Sequence, residues 1–338
     1  MGELRMTQLI DTYGRKHRNL RVSLTDRCSL RCTYCMPHDF AAWIPNEDLL
    51  TTDELLMIIE VGVNQGIDEV RLTGGEPLLR PDIVEIVERI AGLSNAPQLT
   101  LTTNGLRLKE LAQPLAKAGL SRINISLDTL SRERFKTLTY RDRFNDVIEG
   151  LAAAKSAGLS PIKVNTVLLQ GINDDEAPAL LDWALENDYV LRFIEQMPLD
   201  AGGIWDRATM VSADQIFKEL SLKYTLTPVD GRGSSPAEEF YVNGTASTVG
   251  IIGSVTRPFC GACDRLRLTS DGQLRSCLFS ITETDVRKVL RDVDLDDSAK
   301  RAEIAARFQK TVISKLPGHG INDPSFIAPP RPMSAIGG

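Results

Sequence analysis

The chain has 338 residues, 42% hydrophobic and 25% charged, a balance that supports one large domain with an appendage or two ordinary domains. A net charge of −6 speaks against nucleic acid as the main partner, because such binding rests on neutralising phosphates, but it allows a small anion held by a few Arg and Lys. No apolar run reaches the ~18 residues of a membrane span and no secretory segment opens the chain, so a reducing, cytoplasmic setting without membrane is expected.

From residue 20 onward, β-rich runs alternate with apolar-periodic stretches. Strands are predicted at 20–25, 69–73, 99–103, 122–127, 162–168 and 190–196, and helices at 52–65, 81–91, 107–117, 143–157 and 174–186. This alternation implies an α/β fold with a parallel sheet wound by right-handed crossovers. The units are too few for a standard eight-stranded barrel, so a partial barrel is expected, with a doubly wound open sheet as the rival. After residue 210 the pattern changes. A loop at 231–236 precedes short strands at 239–242, 248–252 and 265–269, helices at 285–290 and 299–314, and a Pro-rich end closing on Gly337-Gly338. The expected division is 1–230 and 231–338.

The 6 cysteines fall into two triplets, Cys28, Cys32 and Cys35 (C-x3-C-x2-C) and Cys260, Cys263 and Cys277 (C-x2-C, then x13-C). Disulfides do not suit a reducing compartment. Structural zinc takes four ligands, and His38 could complete the first set. A redox pair would leave the third cysteine of each triplet idle. Three thiolates on a four-iron cluster leave one iron open to a small molecule, and two triplets suggest two such irons.

The first triplet follows strand one, Gly74-Gly75-Glu76-Pro77 follows strand two, Thr103-Asn104-Gly105 follows strand three, Asp128 ends strand four, and Gln196-Met197-Pro198 ends strand six. These motifs meet on the carboxyl edge, where parallel α/β folds bind ligands. Gly74-Gly75 would let a ligand approach the backbone closely. Arg265 and Arg267 share one strand face beside Cys263 and suit an anion or a purine edge. Arg21, Arg71 and Lys163 sit at inward strand positions and make sense around a polyphosphate. His17 and His319 read as structural or surface residues.

Cys28-Ser-Leu-Arg-Cys32-Thr-Tyr-Cys35 resembles the cluster motif of the radical S-adenosylmethionine enzymes, and Thr73-Gly-Gly-Glu-Pro77 the segment that receives the methionine amino group. Within them, Asn124-Ile-Ser-Leu-Asp128, Arg192-Phe-Ile-Glu-Gln-Met-Pro198, Phe259-Cys-Gly-Ala-Cys263, Arg265-Leu-Arg-Leu-Thr269 and the terminal Gly337-Gly338 are similar to the GTP 3′,8-cyclases of molybdenum cofactor biosynthesis. The resemblance implies a partial (β/α)6 barrel closed by a C-terminal extension that carries a second [4Fe–4S] cluster. Cys28, Cys32 and Cys35 would hold the first cluster, whose open iron binds S-adenosylmethionine, and Cys260, Cys263 and Cys277 the second, whose open iron meets guanine. Tyr34, Gly75, Ser126 and Met197 would contact S-adenosylmethionine. Arg21, Arg71, Thr102, Lys163, Arg265, Leu266 and Arg267 would surround GTP, with Arg265, Arg267, Gly337 and Gly338 supporting catalysis. The implied chemistry is removal of a hydrogen from C3′ of GTP by a 5′-deoxyadenosyl radical, then attack of C3′ on C8. An external electron donor and handover of the product to the next enzyme follow from it, and a homodimer is compatible with it. Ser29 and Asp264 stand where the family usually has Asn. A peptide-modifying radical enzyme and a non-enzymatic iron-sulfur or zinc regulator are the competing readings.

Overall fold

A computed structural model describes residues 8–36, 43–200 and 202–337, so His38 and Gly338 lie outside the described residues. Six parallel strands come first: β1 Asn19–Ser23, β2 Glu69–Thr73, β3 Gln98–Thr103, β4 Arg122–Ser126, β5 Ile162–Val167 and β6 Val190–Ile194. Between them run α1 Thr52–Asn64, α2 Ile83–Ala91, α3 Leu108–Lys117, α4 Arg132–Thr139, α5 Phe144–Ser156 and α6 Ala177–Glu186. The strands lie side by side in chain order. A doubly wound sheet would reverse its order partway, so this winding is that of a barrel wall.

The C-terminal third adds α7 Ala213–Ser221, β7 Leu226–Pro228, β8 Glu238–Val242, β9 Thr248–Ile252, β10 Arg265–Leu268, β11 Gln273–Arg275, β12 Thr284–Asp285, α8 Arg287–Leu290, α9 Asp297–Ile313 and α10 Met333–Ile336. Its strands flank the wall on both sides: β10 pairs in parallel with β1, and β9 with β6. The complete order is β12-β11-β10-β1-β2-β3-β4-β5-β6-β9-β8-β7. The extension therefore widens the partial barrel at both edges, and among the described residues no ladder joins those edges.

Alternation decides which face is which. Leu20, Val22, Val70, Leu72, Leu101, Ile123, Ile125, Val164, Leu191 and Phe193 point outward and are buried under the helices. The intervening inward positions are polar, so the interior is a channel and not the packed core of an ordinary barrel. Local signals fix the outer helices. α1 starts at a capping box in which the Thr51 hydroxyl accepts from Glu54 N (3.2 Å) and the Glu54 carboxylate from Thr51 N (2.8 Å). α9 starts where Asp296 accepts from Ala299 N (2.8 Å), and its Phe308 is buried.

The sequence pattern does not predict α4, in which Phe135 and Leu138 are the only large apolar residues. α10 falls in the segment expected to be a Pro-rich tail. Among the described residues, no helix is long and apolar enough to cross a membrane.

Candidate active site

The channel holds two adjoining spaces. The upper one, about 340 Å³, lies at the carboxyl ends of the strands and is lined by all six cysteines. The lower one, about 410 Å³, lies nearer the strand starts and is lined chiefly by charged groups; Arg21, Arg71, Arg192 and Arg265 border both.

Cys28, Cys32 and Cys35 sit on the loop after β1, and the loop after β2 pins that loop by backbone hydrogen bonds. Gly75 N donates to Thr25 O and Glu76 N to Arg27 O, both at 2.7 Å. A Cβ at Gly75 would lie 2.3 Å from Asp26 O and 2.4 Å from Arg27 O. The pair of glycines was expected to admit a ligand. Its tight approach is instead to the cysteine loop, although Gly74 and Gly75 also line the upper space. Glu76 faces away, accepting from Thr103 Oγ1 (2.6 Å), Asn104 N (2.6 Å) and Leu78 N (2.9 Å), and burial pushes its carboxyl up to about 7. The Asn104 amide completes the cradle, donating to Ser29 Oγ (3.1 Å) and lying 3.8 Å from Cys28 Sγ.

All six cysteines are free thiols. Burial pushes Cys28 up to about 11, with Glu76 adding to the rise, and Cys35 up to about 12, with Cys28 adding to it. Such a set favours a cation that binds thiolates. Among the described residues no three His, Cys, Asp or Glu side chains converge as ligands of one metal ion. Each triplet instead faces a shared space, which fits ligands at separate corners of a multi-iron cluster.

Tyr34, Gly75, Ser126 and Met197 all line the upper space. Tyr34 donates from its hydroxyl to Asp128 Oδ2 at 2.8 Å, and Val167 N donates to Asp128 Oδ1 at 2.9 Å. Burial raises the Asp128 carboxyl to about 6. Sequence reasoning placed Asp128 at the strand end without seeing that the Tyr34 beside Cys35 would find it.

The second triplet borders the same space. Burial works against ionisation of Cys263, but Lys315 and Arg265 outweigh it and hold the thiol below its ordinary range. Lys315 is itself fixed by the carbonyls of Arg265 (2.6 Å) and Ser276 (2.7 Å). His319 lines this space, contrary to a surface reading. Both its ring nitrogens are used, Nε2 donating to Ser254 O (3.1 Å) and Nδ1 accepting from Ile321 N (3.2 Å), so its role remains structural. His17 is buried against Asp11 Oδ2 at 3.0 Å.

Arg265 and Arg267 share the inner face of β10 as expected, whereas the Leu266 side chain packs outward in the core and touches neither space. Arg265 lies over the Phe259 ring, 5.0 Å from its centroid, and donates to Ser234 O. Arg267 donates to the carbonyl of Gly337. That glycine is buried with φ +87°, and a Cβ on it would lie 2.7 Å from Thr73 Oγ1 and 2.8 Å from Ser23 Cβ. The C-terminal segment thus enters the channel between the ends of β1 and β2.

The lower space gathers more cations than the sequence suggested. Arg21, Arg71 and Lys163 are there, joined by Arg122, Arg192 and Arg232; Thr102 belongs to the upper space. The ladder sets Arg267, Arg21 and Arg71 directly opposite one another on three neighbouring strands, a costly arrangement without an anion. The Nε atoms of Arg21, Arg71, Arg122 and Arg192 are buried and find no partner. Burial and the neighbouring Arg192 pull Lys163 down to about 8. Arg122 and Arg192 were not named as anion ligands although they alternate inward on β4 and β6: Arg122 carries no motif, and Arg192 entered only as the first residue of the 192–198 segment.

Residues 22–184 match the radical SAM superfamily, and residues 189–321 match the family described as Molybdenum Cofactor Synthesis C. The GTP 3′,8-cyclase of Streptomyces coelicolor is 57% identical over 333 residues, covering 98% of this chain and 96% of that protein. The GTP 3′,8-cyclase of Mycolicibacterium smegmatis is 52% identical, covering 98% and 92%. Among solved structures, Streptococcus suis SuiB bound to S-adenosylmethionine superposes with a TM-score of 0.59 at 15% identity, covering 85% of this chain and 68% of that one. Native anSMEcpe with bound AdoMet gives 0.55 at 15% identity, covering 87% and 80%. At that identity these two likenesses concern the fold.

Proposed function

The chain belongs to the GTP 3′,8-cyclase family, and from that premise we propose how its residues convert GTP to (8S)-3′,8-cyclo-7,8-dihydroguanosine 5′-triphosphate in the first step of molybdenum cofactor biosynthesis. The observation that carries the assignment is one channel bordered by two cysteine triplets and a buried cation cluster.

Cys28, Cys32 and Cys35 would hold one [4Fe–4S] cluster, and Cys260, Cys263 and Cys277 the other. When bound, these groups and S-adenosylmethionine supply the electrons and the acceptor for the C3′ hydrogen of GTP. The chain supplies position and exclusion of water. Tyr34, Gly75, Ser126 and Met197 seat S-adenosylmethionine, with Asp128 fixing Tyr34. Arg21, Arg71 and Lys163, and with them Arg122 and Arg192, receive the triphosphate, whose charge relieves their mutual repulsion. Arg265 and Arg267 orient the nucleotide toward the second triplet, Thr102 lines its path, and Leu266 acts through packing alone. The Gly337 carbonyl holds the Arg267 guanidinium from within the channel, and Gly338 supports catalysis with it. Residues up to the end of β6 serve as the barrel wall, and the extension takes in β7 as well as residues 231–338. The same reading includes an external electron donor, a cytoplasmic location, handover of the product to the enzyme that consumes it, and a homodimer as the first oligomer to test.

The experiment is anaerobic reconstitution with iron and sulfide, followed by S-adenosylmethionine, GTP and a strong reductant. The expected result is the cyclised triphosphate together with 5′-deoxyadenosine; release of 5′-deoxyadenosine without a cyclised nucleotide would point to another substrate.

A further inference from the structure

We propose that Glu69, seconded by Glu239, limits how tightly this protein holds the triphosphate group. The inference rests on the triphosphate reading of the lower space. Glu69 projects from the start of β2 into that space, with Oε1 2.9 Å from Arg71 Nη2 and Oε2 3.7 Å from Arg122 Nη2. Glu239, on β8, lies 2.9 Å from Arg192 Nη2 and lines the same walls. Asp230 and Asp264 also line this chamber, but Glu69 and Glu239 are the carboxylates paired with its arginines, and both oppose an anion there, since each adds a like charge a few ångströms from the phosphates.

Their placement shows what they do instead. Each covers one edge of a guanidinium and leaves the buried Nε of Arg71, Arg122 or Arg192 unpartnered. The cations are thus partly neutralised while no phosphate is present. The reaction gives this balance a purpose. Cyclisation joins C3′ to C8 and leaves the triphosphate unchanged, so phosphate contacts hold substrate and product alike. Such uniform binding does not speed chemistry, and in excess it delays release of the product. Glu69 and Glu239 keep it moderate.

The test uses Glu69→Gln and, independently, Glu239→Gln in the reconstituted protein. Glutamine keeps an oxygen that accepts from the arginine and removes only the charge. Binding of inorganic tripolyphosphate, GTP and guanosine is measured by calorimetry. Each variant should bind tripolyphosphate and GTP about tenfold more tightly, the effect of one nearby unit charge in a partly buried site, and guanosine no differently. Unchanged or weakened tripolyphosphate binding in both variants, or a parallel change for guanosine, overturns the proposal. If the unsubstituted protein fails to bind tripolyphosphate, the triphosphate reading itself falls.

Discussion

Arg265 and Arg267 lie on one face of one short strand but differ in what holds them. Arg265 rests on Phe259 and the Ser234 carbonyl, and Arg267 on the terminal backbone at Gly337. Charge-assisted contacts of this kind contribute roughly 1–3 kcal/mol. Arg265→Ala and Arg267→Ala should each weaken GTP binding about tenfold or more on that scale while both clusters assemble; unaltered affinity by equilibrium titration would remove them from the nucleotide site. Lys163 gives a prediction in pH. Burial first, then Arg192, lowers its value to about 8 in the free protein. A triphosphate beside it favours the charged form and raises that value. Between about 8 and the bound-state value, GTP binding therefore takes up a proton and weakens as pH rises; below that window this group contributes no slope. Calorimetry at pH about 8.5 in buffers of different ionisation heat reads the uptake, and Lys163→Arg, which stays charged, should abolish it. Arg21, Arg71 and Lys163 were legible in the sequence because they interrupt apolar strands at inward positions. Their partners Arg122 and Arg192 obey the same alternation, but only the assembled wall brings them beside the others.

At the level of elements, the loops after β1 and β2 behave as one unit. Gly75→Ala would drive a Cβ into the carbonyls of Asp26 and Arg27, which are backbone and cannot turn aside. Iron bound by the reconstituted variant should fall from about eight to about four atoms per chain, with the second cluster's spectrum retained; full iron content would show that the loop tolerates the shift. The C-terminal segment is the other element with a clear mechanical part. Gly337 adopts φ +87° between Ser23 and Thr73, where a side chain has neither the backbone freedom nor the room. Gly337→Ala, or removal of both terminal glycines, should spare the clusters and S-adenosylmethionine binding but sharply reduce the cyclised product. Full product yield would return the segment to the status of an ordinary tail. The six strands and most of their helices were legible because period-two and helical patterns are local. α10 was not, since four residues in a Pro-rich stretch carry no period. The approach of Gly75 to residues 26 and 27 was also hidden, because glycine spacing does not say which backbone comes near.

At the scale of the molecule, the parallel wall turns its apolar face out to the helices and its polar face in, and the extension adds β10 and β9 to its two edges. This brings cysteines more than two hundred residues apart to one space. A nucleotide fixed by its triphosphate below and its base beside the second triplet would present its ribose toward the first. The measurement that tests this most directly is a single turnover of the reconstituted protein with GTP deuterated at C3′, S-adenosylmethionine and reductant. The account predicts one deuterium in 5′-deoxyadenosine and an equal amount of 3′,8-cyclised triphosphate. Deuterium-free 5′-deoxyadenosine, with GTP recovered intact, would contradict it.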